Sequence, residues 1–245
     1  MLHPAFLLLS YITTLSLHAI IVAGGTGSRM KSQVPKQFLP VGGQPVLMYT
    51  INQFYRFSSS LNIILVLPQK DIPVWKDLCL AYNFTIPLSL VAGGDTRFQS
   101  VQNGLNSITA TDGLVAIHDG VRPFVSLSTI RDSFDVAQRE GCAVAVVPLK
   151  DSIRRVIANG QSQSEDRAGF RLVQTPQTFK LPVIKQSFVV ASHTHFTDDA
   201  SVAEAAGFPV SLIEGSYENI KITTPEDILW AEAFVANKYG GNIHR

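Results

Sequence analysis

Charge is what this chain has least of. Asp, Glu, Lys and Arg make up 16% of its 245 residues, against the roughly 25% usual for soluble globular chains. Residues 1–28 contain none of the four, and the first charged side chain is Arg29. Twenty basic against nineteen acidic residues leave a net charge of +1, so no global field favours nucleic acid or an anionic membrane, and an anionic ligand must be met by a few local cations. Cysteine is equally scarce. Cys79 and Cys142 stand far apart with no CxxC and no histidine at ligand spacing, which excludes a disulfide framework and a zinc site and fits a reducing, cytoplasmic compartment.

Long uninterrupted apolar runs are also missing. The opening segment is apolar but lacks the basic start of a signal peptide, and His3, Pro4, Ser10, Thr13, Thr14, Ser16 and His18 interrupt it. A spanning helix needs about 20 mainly apolar residues, so no membrane span is expected. Residues 1–16 stand apart as an apolar extension without an assigned role. Leu17 to Ala23 reads instead as a buried parallel strand entering a Gly-rich turn.

Short apolar runs recur after it: Leu61 to Leu67, Leu88 to Ala92, Leu114 to His118, Ala143 to Pro148 and Val210 to Ile213. Between them lie helix-like segments at Pro45 to Phe57, Ile72 to Tyr82, Asp95 to Ile108, Leu127 to Glu140, Pro182 to Ser192, Asp198 to Ala206 and Pro225 to Ala236. The alternation predicts an α/β fold, a Rossmann-like, mostly parallel twisted sheet flanked by helices, occupying residues 17–240 as one domain. The polar stretch from Lys150 to Thr175 breaks the rhythm. Its Asn159-Gly160 pair predicts a hairpin between Arg154-Arg155-Val156-Ile157 and Phe170-Arg171-Leu172-Val173, that is, a β-arm over about 150–175. Such an arm has no core of its own, and a second copy of the chain is its expected partner.

In an open α/β sheet, ligands bind beyond the carboxyl ends of the strands. After the first strand come Gly24-Gly25-Thr26-Gly27-Ser28-Arg29 and then Pro35-Lys36-Gln37. Glycines let backbone N–H groups approach a polyphosphate, and Arg29 and Lys36 add charge. The loop is neither a Walker A sequence nor a GxGxxG turn. A tight turn with solvated basic residues would account for the glycines alone, though not for the glycines with Arg29 and Pro-Lys-Gln in train. After the third run, Gly93-Gly94-Asp95 can read a base or ribose, with Ser100 one turn on to touch a phosphate; equally, Asp95 can simply cap the helix. After the fourth, His118-Asp119-Gly120-Val121-Arg122-Pro123 offers a carboxylate for a metal ion or hydroxyl and a guanidinium for an anion, unless the two only pair with each other. His118 reads as structural, and His193 and His195 as surface. Glu218 to Thr223 predicts a short strand carrying Lys221, followed by a helix capped by Thr224 with Pro225 at its first position.

Taken in order, AGGTGSRM…PKQ, GGDTRFQSV, HDGVRP, PLKDSIRR, LVQTPQTF, TDDAS and ENIKITTPED resemble the 2-C-methyl-D-erythritol 4-phosphate cytidylyltransferases of the non-mevalonate isoprenoid pathway, from about residue 18 to 238. Each motif is weak alone, and the set is specific. The resemblance implies transfer of CMP from CTP to the polyol phosphate with release of pyrophosphate, with Mg²⁺ as the divalent metal. It implies Arg29, Lys36 and Lys221 as catalytic residues on the triphosphate. Ala23, Gly24, Gly25, Gly27, Gly94, Asp95 and Ser100 would form the nucleotide site. Asp119, Arg122, Ser152, Arg167, Thr175 and Thr197 would hold the polyol phosphate. Ser152 replaces the family's more usual Thr and keeps the hydroxyl. No direct side-chain metal ligand is assigned beyond Asp119 as a candidate. The arm would dimerise, with Arg167 and Thr175 reaching the partner's site. A ribitol-5-phosphate cytidylyltransferase shares the Gly-rich loop, HDxVRPF and QTPQTF, but TDDAS and PLKDSIRR favour the methylerythritol enzymes. A sugar-1-phosphate nucleotidylyltransferase would usually be longer and would not explain HDGVRP or the arm. A non-catalytic nucleotide-binding module would need a chemistry residue lost, and Arg29, Lys36, Asp119 and Lys221 are all present.

Overall fold

A computed structural model describes residues 15–24 and 34–239 of the chain. Residues 1–14 of the 1–16 extension and the loop residues Gly25, Gly27 and Arg29 lie outside the described residues.

In chain order the strands are β1 (Leu17–Val22), the short pair β2 (Pro40–Val41) and β3 (Gln44–Pro45), β4 (Asn62–Leu67), β5 (Ser89–Ala92), β6 (Leu114–Asp119), β7 (Cys142–Pro148), β8 (Ile153–Val156), β9 (Ser162–Glu165), β10 (Arg171–Lys180) and β11 (Ser211–Glu214). The helices are α1 (Val46–Phe57), α2 (Ile72–Ala81), α3 (Arg97–Ser107), α4 (Leu127–Glu140), α5 (Leu181–Val190), α6 (Asp199–Ala205) and α7 (Pro225–Tyr239). Seven strands form one sheet in the order β11-β7-β10-β6-β1-β4-β5. All neighbours pair parallel except β10, which runs antiparallel to both β6 and β7.

The near-continuous apolar strands follow from burial on both faces. Along β1 and β4 the side chains alternate between two cores. Ala19, Ile21, Ile63, Leu65 and Leu67 join α1 and α4 residues such as Leu47, Phe54, Ile130 and Phe134 on one face. Ile20, Val22, Ile64 and Val66 join Val101, Leu105, Ile184 and Val202 from α3, α5 and α6 on the other. At roughly 1.5–3 kcal/mol per fully buried aliphatic or aromatic side chain, these two layers hold the sheet.

One strand is unforeseen and three expectations need correction. The polar stretch LVQTPQTF is a central strand, β10, because its Gln and Thr residues are buried for hydrogen bonding. The arm hairpin pairs Ile153–Val156 with Ser162–Glu165, not with residues 170–173, of which 171–173 belong to β10. The Asn159-Gly160 turn itself stands where expected, with φ of 63° and 74° in the left-handed region that Asn and Gly tolerate. Residues 218–223 form no ladder strand: they are a loop tied down by the Ile222 N–H donating to the Val121 carbonyl at 2.9 Å. Finally, α3 is capped by Thr96 rather than Asp95. Its hydroxyl accepts from the Gln99 N–H at 3.1 Å while Gln99 Oε1 accepts from the Thr96 N–H at 3.2 Å, a two-way box that a cap one residue earlier would forgo.

The orientation of β10 positions the site. The parallel strands β1, β4, β5, β6 and β7 end on one edge of the sheet, and β10, running the other way, starts near that edge. Gln174 and Thr175 are thereby brought beside Asp119, at the carboxyl end of β6.

Candidate active site

At that edge two cavities adjoin. The first is lined by Ala23, Gly24, Lys36, Gln37, Gly94, Asp95, Thr96 and Ser100. The second is lined by Arg122, Val173, Gln174, Thr175, Gln177, Thr197 and Asp198. Arg97, Asp119 and Lys221 line both.

Lys36 reaches the first cavity from a single turn of 3-10 helix, Lys36–Phe38. Phe38 stacks on Trp75 with ring centroids 6.4 Å apart, and Gln37 Nε2 donates to Asp71 Oδ2 at 3.3 Å. The two residues that follow Lys36 are thus anchored in the core, and the lysine is itself buried. On the opposite wall the Gly93-Gly94 loop is held by Ser100. Its hydroxyl accepts from the Gly94 N–H at 3.1 Å and donates to the Thr96 carbonyl at 2.9 Å. Ser100 therefore shapes the wall of the cavity, with its hydroxyl engaged by the loop.

Asp119 stands where the cavities meet. It is 7% exposed, and its Oδ2 lies 3.0 Å from Lys221 Nζ and 3.2 Å from Arg122 Nε. Its Oδ1 faces Arg97 Nε at 3.8 Å. Burial alone would favour the neutral acid, but Lys221, Arg97 and Arg122 outweigh it and hold the carboxyl far below the usual range. Asp119 and Arg122 do pair, but within a cluster in which Arg97, Arg122 and Lys221 face two carboxylates, Asp119 and Asp199, which leaves one positive charge in excess to meet an anion.

The surrounding loops are locked to this cluster. The Asp119 N–H donates to Thr175 Oγ1 at 3.0 Å, and Arg122 Nη1 donates to the Asn219 carbonyl at 2.8 Å. Asn219 Nδ2 in turn donates to the Thr175 carbonyl at 2.8 Å. These bonds hold the loop bearing Lys221 over the HDGVRP turn. Gly120 lets that turn close against β1: an added Cβ would lie 2.8 Å from Ala23 Cβ and 3.2 Å from the Val22 carbonyl oxygen. His118 is fully buried, with Nε2 3.1 Å from the Arg122 carbonyl and its ring edge-on to Phe54. Burial pushes its pKa down to about 4, so it is a neutral donor that braces the turn. His193 and His195 are exposed.

Of the residues singled out from the sequence, Ala23, Gly24, Lys36, Gly94, Asp95, Ser100, Asp119, Arg122, Thr175, Thr197 and Lys221 come together here. Ser152 and Arg167 do not. Both lie on the exposed arm outside either cavity, and Arg167 Nη1 donates to the Lys150 carbonyl. Thr175 is not an arm residue turned toward a partner: it is 4% exposed and bonded to Asp119 of its own chain. Arg97, Gln174, Gln177 and Asn219 are site residues that the sequence reading does not single out. Arg97 falls inside GGDTR and Gln177 inside QTPQTF, but the importance of each depends on a partner distant in sequence.

Among the described residues no three His, Cys, Asp or Glu groups stand together to hold an ion, and Asp119 is turned to three cations. These residues suit anions, and the second cavity suits a polar, hydroxylated one.

The chain matches the model of the family described as IspD, 2-C-methyl-D-erythritol 4-phosphate cytidylyltransferase, over residues 17–237. It is 48% identical over 218 residues to the 2-C-methyl-D-erythritol 4-phosphate cytidylyltransferase of Phocaeicola vulgatus, covering 89% of this chain and 99% of that one. It is 49% identical over 209 residues to the protein so named in Bacteroides thetaiotaomicron, covering 85% and 94%. Among solved structures, the 4-diphosphocytidyl-2C-methyl-D-erythritol synthase of Anaerococcus prevotii superposes with a TM-score of 0.79 at 30% identity, covering 90% of this chain and 96% of that one. The 2-C-methyl-D-erythritol 4-phosphate cytidylyltransferase of Thermus thermophilus gives 0.74 at 31% identity, covering 90% and 98%. With this similarity spanning the sheet, both cavities and the loops between them, the chain belongs to the 2-C-methyl-D-erythritol 4-phosphate cytidylyltransferase family.

Proposed function

We infer that the chain is a cytidylyltransferase that joins CMP from CTP to 2-C-methyl-D-erythritol 4-phosphate, releasing pyrophosphate and 4-CDP-2-C-methyl-D-erythritol. The observation that carries this reading is the pair of adjoining cavities with Asp119, Arg97 and Lys221 as their common wall. An oxygen of the polyol's phosphate attacks the α-phosphorus of CTP. One P–O bond forms there, the bond to the β-phosphate oxygen breaks, and pyrophosphate departs with that electron pair. Every reactant is an anion, so the protein has to position the groups and neutralise charge rather than supply a nucleophile.

In this reading CTP occupies the first cavity, with the base against Ala23, Gly94 and Asp95 and the triphosphate toward Lys36, Lys221 and Arg29. The polyol phosphate occupies the second cavity, against Arg122, Thr175 and Thr197, with a hydroxyl on Asp119. Mg²⁺ would be bound by the triphosphate oxygens, where it offsets charge. Lys36 and Lys221 meet the negative charge that builds on the phosphoryl oxygens, and loss of such a contact in a dry site typically costs about 3–4 kcal/mol of transition-state stabilisation.

The arm would serve a homodimer. Its residues from Arg154 to Ser164 are all exposed, and Val156, Phe170, Leu172 and Val173 present apolar surface on it and next to it; a two-stranded ribbon is only marginally stable alone. Ser152 and Arg167 would act on the partner's polyol phosphate. Among the described residues no helix is long and apolar enough to cross a membrane, and the reading places the enzyme in the cytoplasm.

The test is to offer the purified protein CTP and Mg²⁺ with 2-C-methyl-D-erythritol 4-phosphate or ribitol 5-phosphate and to measure pyrophosphate. Turnover with the former supports the reading. Turnover only with ribitol phosphate, or CTP binding without any product, would overturn it.

A further inference from the structure

Arg97 is the first residue of α3, directly after the loop that lines the first cavity, and it also lines the second. Its Nη1 and Nη2 donate to the two carboxylate oxygens of Asp199 at 2.8 and 2.6 Å, while Nε faces Asp119 Oδ1 at 3.8 Å. All three nitrogens are therefore turned to carboxylates of the protein. Asp199 is 1% exposed, in the first turn of α6. The N–H groups of Asp199 and Ala200 both donate to Gln177 Oε1 at 2.9 Å. Gln177 Nε2 donates to Asp198 Oδ2 at 3.0 Å, and Asp198 lines the second cavity. A continuous chain of bonds thus runs from the wall of one cavity through Arg97, Asp199 and Gln177 to the wall of the other.

Taking the function proposed above as its basis, we propose that the Arg97–Asp199 pair is a positioning element: it fixes Asp119 Oδ1 and the α6 edge of the second cavity relative to the nucleotide loop, and so sets how the polyol phosphate is presented to CTP. Two features of the geometry support this role over direct phosphate binding. The two-point bond to Asp199 needs the planar fork of a guanidinium, which a lysine cannot supply. Oδ2 of Asp119 already meets Lys221 and Arg122 at 3.0 and 3.2 Å, so Arg97, at 3.8 Å, is the cation that faces Oδ1.

Arg97→Lys keeps the charge and loses the fork; Asp199→Asn keeps the shape and loses the charge. Each is expected to raise KM for the polyol phosphate on the order of tenfold and to lower kcat, because small misplacements of reacting groups are costly. The dissociation constant for CTP with Mg²⁺, measured by calorimetric titration without polyol, should stay within about twofold, since the contacts that would hold the base lie elsewhere. The double variant should be no worse than the poorer single one, since both break one unit. An unchanged KM for the polyol phosphate in Arg97→Lys would overturn the proposal. So would equal weakening of both substrates alongside a lowered melting temperature in both variants, which would make the pair a plain fold contact. A wild-type protein that produces nothing from CTP and the polyol phosphate would strike the functional reading, and this inference with it; an active wild type beside unaffected variants strikes the inference alone.

Discussion

Lowering the pH should destabilise this protein well above the range where its site carboxylate protonates, and His118 is the reason. Buried at the end of β6, its imidazole is held neutral, with a pKa of about 4 against 6.5 when unfolded. The unfolded chain therefore binds a proton between those values that the folded chain refuses, and stability falls as the pH drops through that window. At 1.36 kcal/mol per pKa unit, the full effect at and below pH 4 is roughly 3 kcal/mol, a large part of a typical domain's stability. Asp119 has a depressed rather than a raised carboxyl, so its contribution is present above the unfolded value of 3.8 and lost only below it. The two windows therefore barely overlap. Urea titrations of the wild type and His118→Gln between pH 7.5 and 4.5 separate them. Gln can still donate toward the Arg122 carbonyl but does not titrate, so the variant is expected to start less stable at pH 7.5 and to lose much less on acidification. The buried His18, whose pKa burial also lowers, keeps the variant's profile from being wholly flat. Parallel loss of stability in both proteins would refute the reasoning.

Other perturbations read other parts of the site. Lys36→Ala, and likewise Arg29→Ala, should lower kcat by on the order of 100-fold or more with an unchanged circular dichroism spectrum; near-normal turnover would remove either from the catalytic set. Asp119→Asn leaves Arg97, Arg122 and Lys221 around a neutral amide, and denaturant unfolding should show a loss of about 3 kcal/mol, the lower end for breaking a buried pair since Lys221 is partly exposed, together with failure to use the polyol phosphate. Gly120→Ala has no room for its methyl between Ala23 and Val22 and should cost about 1–3 kcal/mol by the same measurement. Leu172→Asp, at an exposed apolar position next to the arm, should halve the mass seen by light scattering if the arm forms the dimer.

Part of this is legible in the sequence, and the rest is hidden for identifiable physical reasons. β1, β4, β6 and β7 are readable because strands buried on both faces have to be apolar nearly throughout, and the carboxyl ends of β1 and β6 then point to Lys36 and Asp119, as the end of the edge strand β5 points to the Gly93-Gly94 loop. β10 is hidden because buried Gln174, Thr175, Gln177 and Thr178 make it look like a loop; their polarity serves the site and neighbouring helices rather than solvent. Asn159-Gly160 places the arm's turn correctly but leaves its second strand misread, since Ser162–Glu165 has no apolar pattern to declare itself. The cap of α3 is misread by one residue because Asp95 and Thr96 are both good caps and only Gln99 decides between them. Arg97 escapes notice because its meaning rests on Asp199, which is 102 residues away, a distance no local pattern spans.

The central claim is that a phosphate in the second cavity attacks the α-phosphorus of a CTP in the first. Isotope labelling tests it most directly: the enzyme is given CTP, Mg²⁺ and 2-C-methyl-D-erythritol 4-phosphate carrying ¹⁸O in its non-bridging phosphate oxygens, and the products are weighed by mass spectrometry. The account predicts that 4-CDP-2-C-methyl-D-erythritol retains all of the label and that pyrophosphate has none. Label in the pyrophosphate, or no CDP-alcohol at all, would contradict it.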